Sequence, residues 1–244
     1  MGDRAKYVRG ARLSKRVLIT GASSGIGNAT ALELAAKGYS LVLAARREDL
    51  LMQTVAECLK RGAAAVVPVP CDVTRDDGRI RAALALGELP SDLEPCLINN
   101  AGIGEFGPFA EMPAEVIESQ IQTNLIGAML LTQTVLPLFA KGGRIINVLS
   151  VVAEVPLPQS AAYAASKAGL RMFGLVLQQE LRSQGVLITN LMPGATSTDI
   201  WSENAPHQDM MPPEAVAETI EWLLSSPPNR VVDEMMLMPP KGIL

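Results

Sequence analysis

The sequence predicts an α/β fold: a single domain in which a doubly wound parallel sheet of about seven strands carries helices on both faces. Two observations point there. Short apolar runs alternate with helix-like ones from Arg16 onward, the rhythm of repeated βαβ units. A chain of 244 residues, 48% of them hydrophobic, also has enough apolar surface to bury one large core.

In chain order, the strand-like runs are 17–20, 41–44, 65–69, 96–99, 144–149, 186–192 and 231–238. Most are short continuous apolar runs, as strands covered on both faces should be. The first helix opens at the glycine-rich turn after the first run. The second opens at Glu48: Leu51, Val55, Cys58 and Leu59 recur at i, i+4, i+7 and i+8, and Gly62 marks its end. Further helices fit 113–140, in two pieces, then 160–184 and 213–225. Residues 1–15 read as an N-terminal extension, basic but lacking the apolar stretch of a secretory signal, so the expected location is cytoplasmic. Residues 196–212 are rich in Ser, Asn, Pro and Met, and a connection of that length is expected to act as a mobile substrate lid.

Composition narrows the function. With 21 basic and 25 acidic residues the formal charge is -4, which offers no electrostatic footprint for nucleic acid or an anionic membrane. The longest uncharged apolar run, 125–140, is too short to span a bilayer and contains Thr132, Gln133, Thr134 and Pro137. Cys58, Cys71 and Cys96 are odd in number and widely spaced, which reads as buried thiols in a reducing compartment. No metal site is expected, because the only histidine, His207, has no second imidazole to complete a zinc site. Chemistry on a small molecule is what remains.

The segment Thr20-Gly21-Ala22-Ser23-Ser24-Gly25-Ile26-Gly27 lies between the first strand and the first helix. Gly21 and Gly25 permit a tight turn and close approach of backbone to a pyrophosphate, and Gly27 lets helix and strand pack closely. The unpaired N–H groups of the helix start then face the anion. Together with Asn99-Asn100-Ala101-Gly102 after the fourth strand and Tyr163-Ala164-Ala165-Ser166-Lys167 on a later helix, this turn resembles the short-chain dehydrogenase/reductase family over nearly the whole chain. The resemblance implies a Rossmann fold, a nicotinamide dinucleotide, and homodimers or homotetramers that pack through 125–140 and 163–181. It also implies that Ser23, Ser24 and Ile26 belong to the cofactor turn. Asp72 would meet the adenine amino group beside Val73, and Asn99, Ala101 and Gly102 would lie along the cofactor.

Which dinucleotide is bound is decided at the end of the second strand, where an acidic residue would pair with ribose hydroxyls and a basic one with a 2′-phosphate. The residues there are Ala44-Ala45-Arg46-Arg47, so NADP(H) is expected, with Arg46 on the phosphate and Arg47 stacking on adenine.

Tyr163 and Lys167 are four apart on a helix and therefore share a face. A phenol with a pKa near 10 is a poor acid/base at neutral pH, and a neighbouring ammonium is expected to lower it. Ser150 ends the fifth strand, where open α/β sheets place ligands, thirteen residues before Tyr163. In the family pattern this serine holds the substrate oxygen, Lys167 also bonds the nicotinamide ribose, and Asn124 holds a water against the lysine as a proton relay. In Pro193-Gly194-Ala195-Thr196-Ser197-Thr198 the resemblance places Thr198 and nearby backbone, including Pro193, Gly194 and Thr196, at the nicotinamide carboxamide.

The expected function is interconversion of a carbonyl compound and its alcohol, on a small uncharged substrate lined by 151–159 and 196–212. Three alternatives stay open: a reductase of a carrier-bound 3-oxoacyl thioester, an NADP-binding regulator without turnover, and an epimerase.

Overall fold

The computed structural model describes residues 15–227 and 229–242, so the reading of 1–14 lies outside the described residues. Seven strands form one wholly parallel sheet in the order β3-β2-β1-β4-β5-β6-β7. They are β1 (Lys15–Thr20), β2 (Ser40–Ala45), β3 (Ala65–Pro70), β4 (Glu94–Asn99), β5 (Gly143–Val148), β6 (Val186–Pro193) and β7 (Glu234–Leu237). The helices are α1 (Gly25–Ala36), α2 (Glu48–Arg61), α3 (Asp76–Glu88), α4 (Ala114–Ile121), α5 (Ala128–Val135), α6 (Ala161–Leu181) and α7 (Pro213–Ser225).

Alternation along the strands divides the core into two layers. Val17, Ile19, Leu41 and Leu43 pack against Leu34 of α1, Leu51 of α2 and Ile220 of α7. Leu18, Val42, Leu97 and Ile145 face the other way, against Leu86 of α3, Leu131 of α5 and Leu177 of α6. Both faces of β1, β2 and β4 are thus apolar, which is why their sequences show no polar alternation.

Three elements differ from expectation. Helix α3 was not visible in the sequence because its pattern is inverted: Gly78 and Arg79 are buried while Ile80 and Leu84 are 52% and 62% exposed. Gly78 is needed there, since a Cβ would lie 2.8 Å from the Asp72 carbonyl. The 113–140 stretch is continuous rather than two pieces, with α4 and α5 joined by a π-helical turn, Gln122–Gly127. The last strand is shorter than 231–238, because the Val232 carbonyl accepts from the Thr189 hydroxyl (2.7 Å) and that of Asp233 is shared with Gln178 Nε2.

The amino end of the sheet is sealed by buried charge. Arg16 donates to the Leu86 and Leu89 carbonyls at the end of α3, each at 3.1 Å. Arg144 does the same for α7, reaching Leu223 at 3.2 Å and Ser226 at 2.6 Å. Cations satisfy the orphan carbonyls and the negative end of each helix dipole. Glu94 pairs with both Lys15 and Arg144. At the opposite end, β1 and β4 are neighbours although β2 and β3 intervene in the chain, and this reversal opens a crevice at their carboxyl ends.

Candidate active site

The crevice is the mouth of a cleft of about 860 Å³ that runs from Arg46 and Arg47 to Tyr163 and Trp201. At one end lies the glycine turn. Gly21 (φ 67°) and Gly25 (φ 53°) adopt the left-handed conformation that favours glycine. A Cβ on Gly27 would stand 2.3 Å from the Gly21 carbonyl oxygen. Helix α1 begins without a side-chain cap, its first N–H groups facing the cleft beside Ser23, Ser24 and Ile26. Arg47 donates to both serine hydroxyls and pairs with Asp199 Oδ2 at 3.8 Å. Its guanidinium thus bridges the serines and Asp199 at the mouth of the cleft. Arg46 lines the same mouth and is near enough to Asp72 to help stabilise that carboxylate.

Asp72 and Val73 also line the cleft. Burial raises the Asp72 carboxyl, but bonds from the Thr74 hydroxyl (2.7 Å) and N–H (2.9 Å), with Arg46 and Arg75 nearby, hold it below its ordinary value. One oxygen is thus spent on a local Asx turn.

After β4, strand alternation separates the two asparagines. Asn99 does not reach the cleft, contrary to expectation; its amide bonds Thr132 Oγ1 and Asn147 Oδ1, each at 3.0 Å. Asn147 in turn donates to Asn190 at 3.0 Å, and these three residues are register partners on β4, β5 and β6. The result is a buried ladder of side-chain amides across the sheet. Asn100 takes the place at the cleft, donating to the Thr20 carbonyl at 2.8 Å. Thr20 Oγ1 accepts from the N–H groups of Asn100 and Ala101 and so staples this loop to β1. Thr20 and Asn100 were both missed in the sequence, since their roles depend on β1 lying beside β4.

The reacting end combines three elements. Ser150, two residues past β5, caps a 3₁₀ turn by accepting from Val152 N–H (3.4 Å) and hydrogen-bonds the Tyr163 hydroxyl. Lys167, one turn further along α6, has its Nζ 5.7 Å from the Tyr163 ring centre and donates to the Val148 carbonyl at 2.9 Å. Burial dominates both groups: it pushes the Tyr163 phenol up to about 12, against the pull of Ser150, and the Lys167 ammonium down to about 8.

Asn124 sits in the π-helical turn with its amide fully engaged. Oδ1 accepts from Ile103 N–H, and Nδ2 donates to the Ile103 carbonyl, both at 2.8 Å, and to Ser166 Oγ at 3.0 Å. The side chain thus clamps the 101–103 loop. That loop is tight against the lysine: a Cβ on Gly102 would lie 3.3 Å from Asn124 Oδ1 and 3.5 Å from Lys167 Nζ.

Pro193 and Gly194 line the cleft, with Gly194 packed on Met238. Thr196 turns its hydroxyl back to the Gly194 carbonyl (3.0 Å), whereas the Thr198 side chain lies over Gly25. The 196–212 segment is bonded within itself. The Met211 N–H donates to the Ala195 carbonyl at 3.0 Å, Trp201 Nε1 donates to the Thr196 carbonyl at 3.0 Å, and Ser197 Oγ lies 2.8 Å from His207 Nδ1. Trp201 stacks on Phe106 (5.5 Å, 8°), and Phe106 meets Tyr163 edge-on (5.4 Å, 71°). Phe106 was not singled out by any motif. All three cysteines are free and buried, as expected. Among the described residues no cluster of three His, Cys, Asp or Glu side chains could hold a metal ion, and no helix is long and apolar enough to cross a membrane.

Comparison with known proteins agrees with this geometry. Residues 15–209 match the short chain dehydrogenase family. The chain is 31% identical over 241 residues to a serine 3-dehydrogenase of Rhizobium radiobacter, covering 93% of this chain and 94% of that protein. It is 33% identical over 248 residues to sulfoacetaldehyde reductase 2 of Chromohalobacter salexigens, covering 93% and 95%. Among solved structures it is similar to an alcohol dehydrogenase from the archaeon Thermococcus sibiricus complexed with 5-hydroxy-NADP, with a TM-score of 0.86 and 29% identity over 93% of this chain and 97% of that one.

Proposed function

The chain belongs to the short-chain dehydrogenase family, and on that premise we propose that it is an NADP(H)-dependent oxidoreductase interconverting a carbonyl compound and its alcohol, with Tyr163 as acid/base. The observation that carries this reading is the meeting of Ser150, Tyr163 and Lys167 at one end of a cleft whose other end is the glycine turn. The turn fits a dinucleotide: side chains at Gly21, Gly25 and Gly27 would collide with Asn100, Thr198 and the turn's own backbone and force it open, and the uncapped start of α1 offers N–H groups to a pyrophosphate. When bound, the nicotinamide supplies or accepts a hydride at the substrate carbon.

The chain's own residues do the rest. In reduction, Ser150 holds the substrate oxygen while Tyr163 passes its proton to the emerging alkoxide. A buried phenol is protonated at neutral pH, which suits it as the acid. The Lys167 ammonium, held to the Val148 carbonyl, stabilises the phenolate left behind and would bond the nicotinamide ribose. Asn124 positions the 101–103 loop that presses on this lysine, with Ala101 and Gly102 facing the cofactor. Arg46, supported by Arg47 and the Ser23 and Ser24 hydroxyls, binds the 2′-phosphate; Asp72 and Val73 border adenine. Pro193, Gly194, Thr196 and Thr198 frame the carboxamide, chiefly through backbone and the Thr198 side chain. Asn99 acts through the sheet rather than on the cofactor.

Assembly as a homodimer or homotetramer is supported by apolar side chains left exposed on α5 and α6: Leu130 at 37%, Met172 at 58% and Val176 at 47%. NADPH and NADH compared against a panel of carbonyl compounds test the reading. NADPH is expected to win, and Arg46→Ala to shrink its advantage about tenfold or more, as loss of a charge-assisted bond implies. Equal use of both cofactors by the unaltered protein would overturn the NADP assignment.

A further inference from the structure

The reacting end of the cleft is walled by Val151, Val152, Ile200 and Met238, which pack around Tyr163, and by Phe106 and Trp201. The aromatic side chains pack on one another. Trp201 is tied by its indole N–H to the Thr196 carbonyl, and Phe106 is held between Trp201 and the Tyr163 ring. Ile200 closes over Gly104, where a Cβ would lie 2.9 Å from its Cδ1. The cationic side chains lining the cleft are Arg46, Arg47 and Lys167. The first two belong to the glycine-turn end, and the third is buried against the Val148 carbonyl. Near Phe106 the charged residue is an acid, Glu105.

A carboxylate or sulfonate entering this end would leave water without gaining a cation from the described residues, which is unfavourable in a poorly solvated site. A flat apolar group, by contrast, meets ring faces and edges at ordinary stacking distances. We propose that the substrate is a neutral aryl aldehyde or aryl ketone whose ring lies against Phe106 and Trp201, and that anionic carbonyl compounds are excluded. This rests on the oxidoreductase reading above. In the reaction, the carbonyl carbon gains a hydride from NADPH and the carbonyl oxygen gains the Tyr163 proton. The C=O π bond is replaced by C–H and O–H bonds, leaving NADP⁺ and a phenolate that solvent reprotonates.

The test follows NADPH oxidation with benzaldehyde, 4-carboxybenzaldehyde and cyclohexanecarbaldehyde. Benzaldehyde should exceed its carboxylated analogue by about a hundredfold in kcat/KM and the saturated ring by about tenfold, the range available to pocket contacts. Phe106→Leu and Trp201→Leu should each reduce the aryl-over-saturated ratio, mainly through KM, and leave the discrimination against the carboxylate in place. Turnover of the anionic or saturated aldehyde at the benzaldehyde rate would overturn the substrate assignment while sustaining the oxidoreductase reading. Silence on all three, with NADPH bound, would overturn both.

Discussion

The two ends of the sheet bury charge to opposite effect. At the amino end, Lys15, Arg16 and Arg144 are almost wholly buried, and each has a partner: Glu94 or the closing carbonyls of α3 and α7. At the carboxyl end Lys167 is as deeply buried, yet it has one backbone carbonyl and the Tyr163 ring, 5.7 Å from its Nζ. Backbone conformation does not follow that division, since Gly38, Gly62, Gly142, Gly143 and Gly185 take positive φ where the chain enters β2, β3, β5 and β6 at the amino end. The carboxyl end carries the left-handed Gly21 and Gly25, and Gln159 (φ 67°), the one non-glycine residue at positive φ among those described. Partnered charge holds helices to the sheet; Lys167 is left with one carbonyl beside Tyr163. The proposed chemistry thus lies at the opposite end of the strands from the ion-paired seal.

That division can be broken experimentally, and Tyr163→Phe is the strongest probe. It should cut kcat by about a thousandfold, within the range of a lost general acid, while the urea midpoint stays within roughly 1 kcal/mol of the unaltered protein. A variant that kept full turnover would remove Tyr163 from the chemistry. Arg144→Leu should do the reverse. It strips Glu94 of one partner and leaves the Leu223 and Ser226 carbonyls unmet, for a loss of about 3–4 kcal/mol on denaturation. Turnover per folded molecule should not change; a kcat loss that exceeded the loss of folded protein would show that the two ends are coupled.

Lys167→Met sharpens the contrast through pH. Burial lowers the folded-state value from 10.5 to about 8, so below pH 8 the folded protein carries the whole cost of a buried ammonium. Between 8 and 10.5 the unfolded chain binds more protons than the folded one, and stability rises with pH as that cost is relieved. The inactive variant should therefore be more stable than the parent by on the order of 3 kcal/mol at pH 7, with the gap narrowing towards pH 10. Chemical denaturation at both values decides it, and a gap independent of pH would contradict the assignment. Measurement stops near 10 because Tyr163, raised to about 12, withdraws stability above its ordinary value of 10.0. The smallest effect belongs to the middle of the sheet. Asn147→Leu strands the amides of Asn99 and Asn190 and should cost about 2 kcal/mol, with kcat falling only severalfold. No change in the unfolding midpoint would mean that the ladder bears no load.

What could be read in the sequence follows from which features are local. The glycine turn, the Tyr163–Lys167 spacing and the Ser150 position are set by a few consecutive residues, and the structure brings them into one cleft. Helix α2 was legible from Leu51, Val55 and Cys58, with Gly62 in the left-handed conformation at its end. Helix α3 was not, because its buried positions are Gly78, Arg79 and small alanines. Asn99 and Asn100 were exchanged in role for a similar reason. Neighbours on a strand point to opposite faces, and which face holds the ladder depends on β5 and β6 lying alongside. Arg47 and Asn124 kept their places but spend their polar groups on nearby protein atoms, a competition that no motif records.

The asparagine ladder has a consequence for how such a protein diversifies. The loops bearing Asn100, Ser150 and Pro193 leave three strands whose side-chain amides are joined rung to rung, so their roots keep one common spacing. Residues 151–159 and 196–212 hang beyond those roots. Their tips are open to wholesale rewriting, by selection or by loop grafting, without retuning the alignment of hydroxyl and carbonyl, so new specificities can arise on an unchanged reaction geometry.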